Sequence, residues 1–150
     1  MWFEHPNDPS KLTTYLPAFL AIAGQTRWKK RAVQLCNSLL ESTYLAKIIS
    51  DYHWLEMELS FQAASLEVFG NVAVHDRTSR SLAALYFAGT LVEVHKRLSP
   101  KGRAALEGRV RHAMNPNSGF AALFLEMEIA AQLMVDGFDT EFPDLEGRGQ

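Results

Sequence analysis

From Thr26 to Phe69 the chain has neither proline nor glycine, and its apolar residues recur at steps of three and four. Ala32, Leu35, Cys36, Leu39 and Leu40 form the first part of this pattern, followed by Ile48, Ile49, Tyr52, Leu55, Leu59 and Leu66. Such spacing places them on one side of a helix and predicts one long amphipathic helix, or two in series. Gly70-Asn71 supplies the stop, since both residues tolerate left-handed backbone. Val72-Ala73-Val74 is too short to predict a strand. A second helix is predicted from Ser79 to Leu98, with Leu82, Leu85, Tyr86, Phe87, Leu91, Val92 and Val94 as its apolar content. Ser99-Pro100 then gives a side-chain cap followed by proline at the first helical position. The helix it opens runs to about Met114, with Leu106, Val110, Ala113 and Met114 inward. Its Arg103, Glu107 and Arg111, at four-residue steps, predict an exposed ion-pair ladder. A last helix, from about Gly119 to Asp136, is apolar nearly all round, which predicts burial on several sides. Phe138 to Phe142 alternates and predicts a strand that Pro143 ends. No other strand precedes it, and a lone strand is marginal.

These elements predict an all-α chain: four to five helices around one core, with a short C-terminal strand or extended tail. Residues 1–117 read as a helical domain, and 118–150 as the start of a further unit. The composition of the 150 residues, 47% hydrophobic and 21% charged, excludes disordered and collagen-like classes. The one cysteine, Cys36, rules out a disulfide framework and fits a reducing cytosol. Its place on the apolar stripe predicts a buried small hydrophobe. A formal net charge of −2 exerts no global pull toward nucleic acid or anionic lipid. The longest charge-free runs, 12–26 and 112–125, fall short of the ~20 apolar residues that a spanning helix needs. Glu4 and Asp8 against Lys11 are the wrong charge for a secretory leader, so a cytoplasmic chain with no membrane role is expected.

Chemistry-bearing motifs are sparse. His53-Trp54-Leu55-Glu56 runs opposite to the Glu-x-x-His order of di-metal bundles, and predicts a surface or boundary histidine. There is no Gly-rich phosphate loop and no nucleophile elbow. Charge, however, is uneven. Arg27, Lys29, Lys30 and Arg31 cluster beside Trp28, and Lys96, Arg97, Lys101, Arg103, Arg109 and Arg111 crowd the region around Ser99. This second group is the preferred nucleic-acid surface, enough to neutralise roughly three to five phosphates. Glu128, Gln132 and Asp136 align at four-residue steps as a polar stripe. Glu126 is left opposite them, among Ala122, Leu123, Ala130 and Leu133, where a carboxylate is costly unless paired. Finally, Trp54 to Gln62 (WLEMELSFQ) nearly repeats Phe124 to Gln132 (FLEMEIAAQ).

The run Phe124-Leu125-Glu126-Met127-Glu128-Ile129-Ala130-Ala131-Gln132-Leu133, with Gly137-Phe138 and Glu141-Phe142, resembles the first helix and strand of the PD-(D/E)XK nucleases. The resemblance implies that 118–150 opens a nuclease-like α/β core, with Glu126 as the helix glutamate beside a catalytic Mg²⁺. Departures limit it. Only Leu145 separates Asp144 from Glu146, and Arg148 stands where a lysine should follow. The resemblance thus implies a non-catalytic amino-terminal portion of a nuclease-like protein. Such a portion has no complete active site and no cofactor of its own, and it assists nucleic-acid binding. The alternative is a helical interaction or homo-oligomerisation module, with the last helix forming a homodimer.

Overall fold

The structure, a computed structural model, describes residues 9–41, 43–73 and 79–148. Eight helices are present among them: α1 (Pro9–Ala23), α2 (Gln25–Glu41), α3 (Ala46–Tyr52), α4 (Trp54–Phe69), α5 (Ser79–Arg97), α6 (Pro100–Ala113), α7 (Ala121–Val135) and α8 (Pro143–Glu146). The fold is all-α, as the periodicity predicts. The helix count exceeds four to five because the segment before Gly24 forms α1 with Pro17 inside it, Pro143 opens the short α8, and the 26–69 pattern breaks at places that carry no proline. The long Thr26–Phe69 pattern becomes three helices. Its second break is at His53 alone, whose backbone (φ −104°, ψ 24°) leaves the helical range and serves both as C-cap of α3 and N-cap of α4. No helix among the described residues is long and apolar enough to cross a membrane.

Helix α5 is the centre. Ala84, Phe87, Ala88, Leu91 and Val94 have almost no solvent contact. Helix α1 lies along it, presenting Leu12, Leu16, Phe19 and Ala23, a stripe with the helical period. The two approach closely because Gly89 has no side chain: a Cβ there would stand 3.2 Å from Tyr15 Cδ2. An aromatic cluster ties the remaining helices to this pair. Phe19 meets Trp28 and Phe87 edge to face at 5.3 and 5.9 Å, and Phe120 meets Trp28 and Phe87 at 6.0 and 5.9 Å. The core draws on both halves of the chain, from Leu16 to Met134 and Leu145.

Three further expectations are corrected here. Phe138 to Phe142 forms no strand: no described residue is in one, and the segment stays irregular until Pro143 starts the single turn α8. A strand needs a partner edge, and an all-helical chain offers none. Cys36 is exposed. The face that α2 buries is Trp28, Arg31 and Leu35, so the polar Arg31 occupies the stripe and turns Cys36 outward. Helix α7 buries Leu123, Met127, Ala130 and Met134 but leaves Leu125 and Ile129 more than half exposed, at 60% and 54%. It is covered on one side only.

Candidate functional site

The α5–α6 corner is built from both helix ends. Ser99 takes extended backbone (φ −62°, ψ 164°), and its hydroxyl accepts the Gly102 amide at 3.1 Å, with Pro100 at the first helical position. This cap is the one the sequence predicts. One turn into α6, Arg103 reaches back over the end of α5. Its Nε donates to the carbonyls of His95 and Leu98, and its Nη2 to that of Lys96, each at 3.0 Å. A guanidinium thereby satisfies carbonyls that the end of a helix leaves open, at the negative end of its dipole.

The C-terminal segment closes on this corner. Glu146 accepts the Ser99 amide at 2.9 Å and the Ser99 hydroxyl at 2.5 Å. The hydroxyl bond is the main reason that its carboxyl lies below the ordinary carboxylate value, followed by the Ser99 backbone bond and the charges of Arg148 and Lys101. Burial opposes these influences without overcoming them. Gly102 makes the room, since a Cβ there would lie 2.7 Å from Glu146 Oε1. Leu145, beside it, is buried. Between this corner and residues 137–143 lies an open cleft of about 1080 Å³, lined by Lys96, Arg97, Arg103 and Arg148 and by the apolar Met134 and Phe142. The Thr140 hydroxyl, also on the cleft, is buried with no hydrogen-bond partner among the described residues.

The cleft thus brings together three of the six predicted basic residues, Lys96, Arg97 and Arg103. Most of the six are already engaged. Lys96 donates to Glu93 at 2.7 Å and sits 5.8 Å above the Tyr15 ring. Arg97 lies 3.2 Å from Met134 Sδ, and Arg109 pairs with Glu126 at 2.5 Å. Lys101 packs over Gly147, and Arg111 is exposed on α6. The predicted Arg103–Glu107–Arg111 ladder does not form. Arg103 is turned to the α5 carbonyls, and Glu107 takes His95 Nε2 at 2.9 Å. Glu126 is not lodged on an apolar face. It is 49% exposed and held by Arg109, because α7 turns its Leu123, Met127 and Ala130 face inward instead. No group of three or more His, Cys, Asp or Glu that could hold a metal ion exists among the described residues.

A second polar cluster lies where sequence reasoning expected none. Arg31, 5% exposed, donates from Nε to Glu56 Oε1 at 3.2 Å and from Nη2 to Oε2 at 3.4 Å, and Glu56 is 1% exposed. His53 completes the group, its Nδ1 2.6 Å from Glu56 Oε2, so Nδ1 carries the proton and donates. Arg31 Nη2, 3.3 Å from the same Nδ1, is therefore a second donor facing the first and makes no hydrogen bond to it. Glu56 stands in the first turn of α4, a place that favours a carboxylate. The one signal in the sequence was the His-x-x-Glu spacing, read for metal and not for a buried ion pair. The cluster joins α2 to the α3–α4 break.

Outside these clusters, the surface is notable for its apolar side chains. Val33 and Leu40 of α2, Ile48 of α3, Phe61 and Val68 of α4 and Leu125 and Ile129 of α7 are all more than half exposed. No family model, no curated protein and no solved structure matches this chain.

Proposed function

We propose that the chain is a non-catalytic helical interaction module that self-associates through the outer stripe of α7. The observation that carries this reading is a contrast within the near-repeat. In α4, Leu55, Leu59 and Gln62 are buried, the last two completely. In α7, the equivalent Leu125, Ile129 and Gln132 face solvent. The chain thus presents on its surface the pattern it elsewhere uses as core, and Leu133, 39% exposed, extends it. Apolar stripes of this kind mark association surfaces. A second copy is the occupant that brings the same patch to meet it, as a two-fold interface requires. Glu128 and Asp136 flank the stripe on both copies, so salt should strengthen the association by screening their repulsion.

Sedimentation velocity across a concentration series is the test. A dimer that tightens with salt and dissociates on Ile129→Asp is the expected result. A monomer at every concentration and salt removes the reading.

A second reading, a nuclease-like protein's helical portion that assists nucleic-acid binding, is supported by Lys101 and Arg111. These two make no ion pair among the described residues and are exposed on α6. Two free cations imply weak duplex binding with a log–log salt slope of roughly −2. That slope has the opposite sign to the one expected for self-association, so one salt titration separates the two readings.

A further inference from the structure

We infer that the socket on α6 which holds α8 is an exchangeable interface, filled in a dimer by the α8 of a second copy. The occupant is specified by the structure itself. Leu145 is 4% exposed in the socket, and the Glu146 carboxylate takes both the amide and the hydroxyl of Ser99. A second copy's Leu145-Glu146 meets that site with the same chemistry.

What distinguishes α8 from the other helices is how little else holds it. It packs against α6 and against no other helix of the described residues. The segment that joins it to α7 makes no helix or strand, and among the described residues no hydrogen bond reaches the backbone of Asp139, Thr140 or Glu141. That segment lines the 1080 Å³ cleft and touches the core through Phe142. Its first residue, Gly137, has φ +86°, and a Cβ there would meet nothing within 4 Å. Glycine in that conformation, with no side chain to clash, is a pivot whose turning costs only the two backbone bonds that close α7, Gly137 to Met134 and Phe138 to Leu133. Moving α8 from its own α6 to a partner's therefore breaks one set of contacts and remakes the same set, leaving only the pivot and the linker to change. Exchange of an identical element is a low-cost route to a dimer. Six residues from Gly137 to Phe142 reach at most about 20 Å, so the partner's Ser99 must lie within that distance of the pivot.

The inference rests on the self-association reading only for the presence of a second copy; the α7 stripe can hold while the tails stay at home. The Lys101 side chain packs over Gly147, the residue after Glu146, which makes Lys101 and Glu146 a zero-length cross-link reporter. Heavy-isotope and light chains are co-refolded from urea at high micromolar concentration and treated with a carbodiimide, and the Lys101–Glu146 link is read by mass spectrometry. About half of these links should join a heavy to a light chain, the proportion of random pairing. Links confined to heavy–heavy and light–light pairs overturn tail exchange, whatever sedimentation says of the α7 stripe. A second measurement uses complementation. Gly102→Val blocks the socket, and Leu145→Ala/Glu146→Ala disables the tail. Each alone leaves the Ser99 amide open to hydrogen exchange, with circular dichroism confirming that the helices remain. Mixed, they should restore slow exchange at one intact socket per pair; a mixture that equals the sum of its parts counts against the proposal.

Discussion

Trp54 and Phe124 hold the same place in the near-repeat and meet edge to face, their ring centroids 5.3 Å apart and their planes at 79°. Beyond that contact the two helices part company. Helix α4 buries Leu55, Glu56, Leu59 and Gln62, while α7 buries Leu123, Met127, Ala130 and Met134. Equivalent residues therefore face opposite environments. Leu59→Ala should cost about 2–5 kcal/mol, the range for a buried leucine. Ile129→Ala, at low protein concentration, should stay within about 0.5 kcal/mol of wild type, as surface substitutions do. Urea denaturation of both measures the difference; equal losses would mean that α7 is not an outer helix.

The ion pair between Arg31 and Glu56, twenty-five residues apart, yields the second prediction. Removing Glu56 leaves the buried Arg31 charge uncompensated and the His53 Nδ1–H without its acceptor, which costs about 3–5 kcal/mol. Glu56→Leu should fall in that range, and Arg31→Met should cost less, because His53 still donates to Glu56. The double variant should recover part of the Glu56→Leu loss, since a buried pair offers little over apolar residues of the same volume, but not all of it, because His53 is left without its acceptor. A double variant as damaged as the sum of the singles would show that the pair stabilises through more than mutual compensation.

Arg31 also explains how far the sequence could be read. Local signals were legible where a few neighbouring residues decide the outcome. The Ser99-Pro100 cap, the stop at Gly70 and the start of α5 all fall where those residues predict. The stripe of α2 was misplaced because periodicity counts apolar residues, and its buried face includes an arginine whose partner lies on α4. The break at His53 was invisible for the same reason: no proline or glycine marks it, and the residues that make it tolerable, Glu56 and Arg31, act through tertiary contact. At the predicted nucleic-acid surface, sequence found the residues but not their engagements. Arg103 and Arg109 spend their charge on α5 carbonyls and on Glu126. Glu146, the carboxylate that organises the corner, carried no local signal because its partner Ser99 is forty-seven residues away.

A third prediction follows from Cys36. An exposed thiol reacts with a disulfide reagent while the protein is folded, whereas the buried thiol expected from the α2 stripe would wait for unfolding. Stoichiometric labelling of the native chain within the time of unhindered reaction, with no change in circular dichroism, is the expected outcome. A burst only in denaturant would return Cys36 to the core.

Arg103 separates a structural from a nucleic-acid role. As the group that satisfies three carbonyls of α5, it should cost stability when replaced: Arg103→Ala should lose about 1–3 kcal/mol, since hydrogen bonds from a charged donor exceed neutral ones. The duplex-binding salt slope should stay unchanged, because Arg103 is already committed. Arg111→Ala should do the reverse, flattening any slope by about one unit with little effect on stability. A slope change on Arg103→Ala with no loss of stability would show that the guanidinium is free to reach a phosphate.

The attachment of α8 should be sensitive to acid, with a sign fixed by Glu146. Its folded carboxyl lies below the ordinary value of 4.5, held there first by the Ser99 hydroxyl, then by the Ser99 amide and the charges of Arg148 and Lys101. A depressed carboxylate adds stability that is fully present above its unfolded value and is lost as pH falls through the folded one. The tail should therefore stay docked from neutrality to about pH 5, then detach below the ordinary carboxylate range. Asp51 is lowered as well, by Lys47 and then Arg80, so α3 contributes its own acid response. Site-resolved exchange keeps the two apart, because the Ser99 amide reports on the tail and Ile48 to Tyr52 on α3. Glu146→Gln removes the titrating group while keeping an acceptor for Ser99. In that variant the protection of the Ser99 amide should be weaker at neutral pH and flat between about pH 5 and 3. If the variant loses protection at the same pH as wild type, the release belongs to some other group and Glu146 is not the residue that holds the tail.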